Sequence, residues 1–192
     1  MSKPIEIRWH GRGGQGAKTA ALMFAEAVSA GGKFVQGFPE YGAERMGAPI
    51  LAFNRISERP ITIHSNVTDP EIVVVLDETL VGKAAVTDGL PPGGAIIVNT
   101  KKSPAEMKKR LGSTDVRVFT VDANQIALEA LGMPIPNTPM MGALVRVSGL
   151  VPMEEFMELA EKLLYEKFRG KTNVVPGNLE AIRRAYQEVK GE

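Results

Sequence analysis

Four glycines within the six residues from Gly11 to Gly16 separate a predicted strand from a predicted helix near the beginning of the chain. Before them, Ile5, Ile7 and Trp9 alternate with polar residues, which is the period of a β-strand. After them, residues 17–30 are rich in alanine and end at a pair of glycines, which predicts a helix. This helix is apolar on all sides, so we expect it to be buried against a sheet or a partner.

The rest of the chain alternates between strand and helix patterns. Three continuously apolar runs have the pattern of strands buried on both faces of a parallel sheet: residues 72–76, 95–98 and 116–121. Shorter strands are predicted at residues 33–36, 50–56 and 61–63, the last two as candidates for a hairpin. Helices are predicted at residues 78–85, 104–111, 123–131, 140–147, 153–164 and 179–189, the last with Asn178 as its N-cap. This order predicts one α/β domain over residues 1–192, with a largely parallel sheet, a Rossmann-like glycine-loop start and a helical C-terminal third.

The glycine loop has the spacing of a phosphate-binding turn, G-x-G-x-x-G, at Gly11, Gly13 and Gly16. Glycines let backbone N–H groups approach an anion closely, and the following helix N-terminus adds positive potential. A nicotinamide or flavin site would also need an acidic residue at the end of the second strand, where Gln36 stands instead. A nucleotide-hydrolase loop would need Lys directly after the last glycine, but Ala17 intervenes before Lys18. The remaining alternative is a tight turn that binds nothing.

Two further segments carry candidate contact residues. The glycine-rich stretch 37–48 is predicted to be an ordered loop, and its aromatic and charged residues indicate an interface or a cover over a ligand, against the alternative of a solvated surface. Its candidate residues are Phe38, Tyr41, Glu44, Arg45 and Met46. Asn137 begins a predicted helix, where it serves either as an N-cap or as an amide that faces a ligand on the glycine loop.

Composition excludes several classes of function. The absence of cysteine excludes disulfides, thiolate-bound zinc and an all-cysteine iron–sulfur cluster within the chain, and it fits a cytoplasmic protein. The net charge of +1 gives no electrostatic case for nucleic acid or for a membrane surface, and we expect neither a signal peptide nor a membrane span. His10 and His64 have no metal-ligand spacing, so we assign no metal and no catalytic residue.

Three segments together resemble a known family. The glycine segment 11–20, the segment 38–49 and the segment 137–143 are similar, in this order, to the signatures of the gamma subunit of 2-oxoacid:ferredoxin oxidoreductases, with the pyruvate enzyme as the nearest type. The similarity extends from about Ile5 to Val151. Alternatives that remain open are a gamma subunit for 2-oxoisovalerate or 2-oxoglutarate, a stand-alone dinucleotide-binding protein, and a structural subunit without a ligand.

The resemblance implies a division of labour between subunits. Enzymes of this family decarboxylate a 2-oxoacid on thiamine diphosphate, which releases CO₂. They pass the electrons through iron–sulfur clusters to ferredoxin and release an acyl-CoA. The resemblance places the thiamine site in alpha and beta subunits and the clusters in those and a ferredoxin-like delta subunit, so this chain would not be catalytic alone. For this chain it implies a three-layer α/β fold that helps to bind coenzyme A and covers the active site. The residues expected to meet coenzyme A are Gly11, Arg12, Gly13, Gly14, Gln15, Gly16, Lys18 and Asn137.

Overall fold

The computed structural model describes residues 3–40, 46–112 and 115–191. Its strands are β1 (Ile5–Arg12), β2 (Phe34–Pro39), β3 (Pro49–Ser57), β4 (Ile72–Val75), β5 (Ala95–Asn99), β6 (Arg117–Val121) and β7 (Lys190–Gly191). Its α-helices are α1 (Ala17–Ala30), α2 (Pro104–Leu111), α3 (Ala123–Leu131), α4 (Asn137–Ser148), α5 (Met153–Lys167) and α6 (Val175–Glu188). Short 3₁₀ turns occur at Glu78–Leu80 and Thr172–Val174.

Within the described residues, the strands form one mixed sheet in the order β2-β3-β1-β4-β5-β6-β7. Its centre, β1-β4-β5-β6, is parallel, whereas β2, β3 and β7 run antiparallel to their neighbours. The predicted α/β fold with its largely parallel sheet is therefore confirmed. The parallel strands end at one edge of the sheet, where ligands bind in open α/β folds. The glycine loop follows β1 at that edge.

Helices cover the two faces of the sheet unequally. On one face, Trp9 of β1 and Ile97 of β5 pack into a core built with α1 and the C-terminal helices α4, α5 and α6. On the other face, Val73 and Ile96 form a smaller core with Met107 of α2 and the turn after β4. No helix among the described residues has the length and hydrophobicity needed to cross a bilayer.

Several predicted boundaries were wrong, for identifiable reasons. The helix predicted at residues 78–85 is only a 3₁₀ turn, because the chain turns into the left-handed region at Gly82, with φ of 84°. Residues 61–63 form no strand. β3 pairs instead with β1 on one side and with β2 on the other, and β2 continues through Gly37 and Phe38 to Pro39. A glycine is required at the Gly37 position of β2, because a Cβ there would be only 2.8 Å from Cβ of Ala25 in α1.

The helical C-terminal third is held together by close contacts between α4 and α6. Gly142 packs so tightly against α6 that an added Cβ would lie 2.0 Å from the carbonyl oxygen of Ile182. The prediction that Asn178 caps α6 was wrong, since that helix begins three residues earlier. Asn178 is buried inside the helix, where its Oδ1 accepts a 2.9 Å hydrogen bond from Thr138 of α4.

Candidate functional site

The glycine loop joins β1 to α1 at the carboxyl edge of the sheet and is tied to the segment that precedes β3. Gly14 and Gly16 have φ of 97° and 80°, a left-handed conformation that side chains with a Cβ rarely adopt. Gly13 N–H donates to the carbonyl of Ala48 at 2.9 Å, and Gly47 N–H donates to the carbonyl of Gly13 at 3.1 Å. These two backbone hydrogen bonds fix the loop against residues 46–48.

A network of side-chain hydrogen bonds joins the glycine loop to the residues that follow β4. Arg12 donates from Nε to Oδ2 of Asp77 at 3.0 Å, and its other nitrogens donate to the carbonyl of Gly47 and to Oγ1 of Thr79. Gln15 accepts the N–H of Arg12 at 2.8 Å and donates to the same Asp77 oxygen at 2.9 Å. Arg12 and Gln15 were predicted as ligand contacts, but here their side chains hold the loop in shape. Any contact they make with coenzyme A stays a prediction.

Asp77 is the central residue of this network, and the sequence analysis did not assign it to the site. Burial alone would raise the pKa of its carboxyl, but hydrogen bonds from Thr79 and Gln15 and the charge of Arg12 lower the pKa below its usual value. The signal that could have found it is its place directly after β4, because polar residues at the carboxyl ends of neighbouring parallel strands meet at one edge.

Above the loop lies a groove of about 360 Å³ that opens on the beginning of α1. Gly16 is the N-cap of this helix. Because glycine has no side chain, it makes no capping hydrogen bond to the backbone N–H groups of the first turn. The lining residues are Gly13, Gly14, Gly16, Ala17, Lys18, Thr19, Met46 and Ile50. Backbone donors, a helix N-terminus and a lysine together suit an anionic group such as a phosphate.

Asn137 lies directly beside the glycine loop, and whether its amide contacts a ligand there stays a prediction. A Cβ on Gly16 would be only 2.7 Å from Nδ2 of Asn137, so the loop and the beginning of α4 require a glycine where they meet. Asn137 is the first residue of α4 and does not cap it; the residue at the cap position is Pro136. Asn137 lines a pocket between the helices of the C-terminal third and is absent from the lining of the groove over the loop.

Two of the five predicted interface residues, Phe38 and Met46, lie in the part of the chain that the structure describes. Phe38 lies in β2, where its ring packs 5.3 Å from that of Phe53 and under the guanidinium of Arg55. Met46 is 86% exposed and lies over Gly14, with an added Cβ on that glycine 3.0 Å from the methionine Cε. Tyr41, Glu44 and Arg45 lie outside the described residues.

Charged side chains are buried beneath β1, on the face away from α1, which the sequence analysis did not predict. Arg8 donates from Nε to Nε2 of His10 at 3.0 Å, and its other nitrogens donate to backbone carbonyls. Burial, and then the charge of Arg8, lower the pKa of His10 to about 3, so the imidazole is neutral. Glu6 and Arg55 form a buried ion pair of 2.7 Å beside it. The polar groups of these residues are paired with one another or with backbone carbonyls, so we assign them a role in stabilising the fold.

No group of three or more metal-ligating side chains is present in residues 3–40, 46–112 and 115–191. The candidate site is therefore the groove over the glycine loop, with Met46 in its wall and Asn137 packed behind it against Gly16.

Comparison with known proteins places these features in a family context. Residues 6–188 match the pyruvate ferredoxin/flavodoxin oxidoreductase family. The chain is 50% identical over 188 residues to the pyruvate synthase subunit PorC of Thermotoga maritima, which covers 98% of this chain and 96% of that protein. It is 45% identical over 184 residues to the pyruvate/ketoisovalerate oxidoreductases common subunit gamma of Thermococcus litoralis, covering 96% of each.

The fold comparison agrees with the sequence comparison. The crystal structure of a pyruvate oxidoreductase subunit PORC from Thermotoga maritima superposes with a TM-score of 0.85 at 46% identity, covering 100% of this chain and 99% of that chain. The mixed sheet and the C-terminal helices are thus the architecture of this group of proteins.

Proposed function

The chain belongs to the pyruvate ferredoxin/flavodoxin oxidoreductase family, and we propose that it is the gamma subunit of a pyruvate-type 2-oxoacid:ferredoxin oxidoreductase in which it seats coenzyme A. The assembled enzyme converts a 2-oxoacid and coenzyme A to acyl-CoA, CO₂ and reduced ferredoxin. Its partners are alpha, beta and ferredoxin-like delta subunits. The thiamine diphosphate and the iron–sulfur clusters belong to those partners, in keeping with a chain that has no cysteine.

The observation that carries the coenzyme A proposal is the groove over the glycine loop. Coenzyme A has a pyrophosphate and a 3′-phosphate, and the groove offers the first turn of α1 together with Lys18. Asn137, which lies against Gly16, carries an amide that can both donate to and accept from an amide or an adenine edge. Because the Arg12–Asp77–Gln15 network holds the loop before any ligand arrives, little ordering entropy is lost on binding.

The experiment compares two substitutions of glycines with positive φ in the assembled complex. Gly14→Val places a side chain in the groove, whereas Gly149→Val changes a glycine that is also left-handed, with φ of 61°, but has open space around it at the end of α4. We expect Gly14→Val to raise the KM for coenzyme A at least about tenfold, or roughly 1.4 kcal/mol, with the KM for pyruvate unchanged. We expect Gly149→Val to leave both constants unchanged.

Circular dichroism and co-purification check that both variants fold and assemble. A folded, assembled Gly14→Val complex with the normal coenzyme A dependence would show that the loop is only a structural turn. We also expect the isolated chain to show neither 2-oxoacid oxidation nor iron–sulfur absorbance, and activity in the isolated chain would contradict the division of labour between subunits.

A further inference from the structure

A second pocket, separate from the groove over the glycine loop, opens between the helices of the C-terminal third. Its volume is about 190 Å³, and it is lined by residues of α1, α3, α4, α5 and α6. Most of its walls are apolar and include Met23, Leu131, Leu164, Phe168 and Val174. At about 30 Å³ per water, the pocket holds roughly six waters, most of them against apolar surface.

The polar side chains in the pocket wall are Asn137, Thr138, Lys167 and Asn178, and two of them are hydrogen-bonded to each other. Thr138 donates to Oδ1 of Asn178 at 2.9 Å, and Asn178 donates in turn to the carbonyl of Val174 at 2.8 Å. Apart from the Asn137 amide and Lys167, the wall therefore offers a ligand little polar recognition. What remains for a ligand is an apolar cavity and the charge beside it.

That charge comes from Lys167, whose ammonium group lies near a thioether sulfur and an aromatic ring. Its Nζ lies 3.9 Å from Sδ of Met23 and 5.8 Å from the ring centre of Phe168. Burial lowers the pKa of Lys167, and the acidic residue that opposes this effect is Glu26 of α1. No carboxylate among the described residues approaches Lys167 within ion-pair distance.

Two more cations follow in the chain where α5 ends. Arg169 and Lys171 are exposed, and neither forms an ion pair with any residue that the structure describes. The pocket mouth also exposes Met133, 52% of whose surface is accessible. Phe168 and Val174, which lie on either side of these two cations in the chain, both line the pocket, so the segment that carries the cations borders it. An apolar cavity bordered by an exposed methionine and by Lys167, Arg169 and Lys171, here called the basic rim, is complementary to an apolar side chain flanked by acidic residues.

We propose that this pocket and its basic rim are a docking surface for an acidic segment of a partner subunit, which inserts one apolar side chain between α3 and α5. The proposal rests on the proposed function, because it requires partner subunits. An apolar side chain would release the confined waters, and nearby carboxylates would supply the counter-charges that Lys167, Arg169 and Lys171 lack. A buried anchor surrounded by charge at the rim is the usual arrangement of a strong contact point in an interface.

The test measures the affinity of the purified chain for the remaining subunits of the oxidoreductase, and it uses two matched pairs of variants. Met133→Asp puts a carboxylate at the pocket mouth; its control, Leu128→Asp, makes the same kind of change at an exposed apolar residue of α3 outside the pocket. The double variant Arg169→Glu with Lys171→Glu is paired with Lys83→Glu and Lys109→Glu, which change the net charge equally at exposed sites elsewhere.

We expect Met133→Asp and the rim double variant each to weaken assembly at least tenfold, and both controls to weaken it less than twofold. We also expect the affinity of the unchanged chain to fall as salt rises, and to fall less steeply in the rim double variant. Thermal unfolding of each free chain checks that the variants fold alike.

Three results would overturn the docking surface. The first is equal affinity of each variant and its control. The second is stabilisation of the free chain by a simple aliphatic carboxylate, such as octanoate, while the variants assemble normally, which would identify a small-molecule site instead. The third is failure of the unchanged chain to assemble, which would overturn the proposed function as well; in the first two results the unchanged chain assembles and the proposed function stands.

Discussion

Nε of Arg12 lies 3.0 Å from Oδ2 of Asp77, and this hydrogen bond joins the end of β1 to the end of β4 beneath the glycine loop. The same carboxylate oxygen accepts from Nε2 of Gln15 at 2.9 Å, while its other oxygen accepts from the N–H of Thr79. One carboxylate thus fixes the loop and the turn after β4 together. The shape of the candidate site depends on a residue that lies far from it in the sequence.

We predict that Asp77→Asn lowers the free energy of unfolding by about 1–2 kcal/mol, because the amide keeps one acceptor but loses the charge that Arg12 pairs with. In the assembled complex, the KM for coenzyme A should also rise, since the loop is no longer held in one conformation. Urea unfolding of the chain and steady-state kinetics measure the two effects. Glu161→Gln, the same acid-to-amide change at an exposed carboxylate of α5, is the control and should change neither. A normal stability for Asp77→Asn would refute the bracing role.

We predict a loss of stability in mild acid that depends on His10. Its folded pKa of about 3 lies below the value of about 6.5 expected in the unfolded chain, so between these values only the unfolded chain binds the proton. Stability from this group is full above pH 6.5 and falls as the pH falls through that window. Between pH 7 and pH 5 the unchanged chain should lose about 2 kcal/mol more than His10→Asn does. His64→Asn, at an exposed histidine, should behave like the unchanged chain in denaturant titrations at each pH.

We predict that replacing one member of the buried Glu6–Arg55 ion pair destabilises the fold far more than replacing both members together. Arg55 is 1% exposed, so Glu6→Gln leaves a buried guanidinium without its counter-charge and should destabilise the fold by about 3–5 kcal/mol. The double variant Glu6→Gln with Arg55→Met removes both charges and should recover most of that loss. Denaturant unfolding of the single and double variants provides the measurement. A double variant as unstable as the single one would show that the charge is not the cause.

We predict that Gly142→Ala destabilises the C-terminal helices, although alanine is favoured over glycine within a helix by about 1 kcal/mol. The added Cβ would lie 2.0 Å from the carbonyl oxygen of Ile182, so α4 and α6 must separate, at a cost of about 3 kcal/mol or more. Gly132→Ala changes a left-handed glycine with open space around it and should cost only about 1 kcal/mol. A thermal midpoint for Gly142→Ala at or above that of Gly132→Ala would contradict this account.

The class of the fold followed from local patterns. The alternation in residues 5–9, the apolar runs at residues 72–76, 95–98 and 116–121 and the helical period of the last third all report which faces of an element are buried. The strand–glycine loop–helix unit was likewise placed correctly by its spacing alone. Each of these features is contained within a short stretch of chain, which is why a single sequence was enough.

The tertiary structure alone decided which elements meet. The pairing of β2 with β3, the glycine contact between α4 and α6, and the placing of Asn178 against Thr138 are contacts between distant segments, and local periodicity does not specify them. Asp77 is the clearest case, because 65 residues separate it from Arg12 and only the parallel pairing of β1 with β4 brings the two together. The sequence determined that a glycine loop would stand at the edge of a buried sheet. The side chains that hold that loop in place were decided by the order of the strands, because the order determines which strand ends are neighbours.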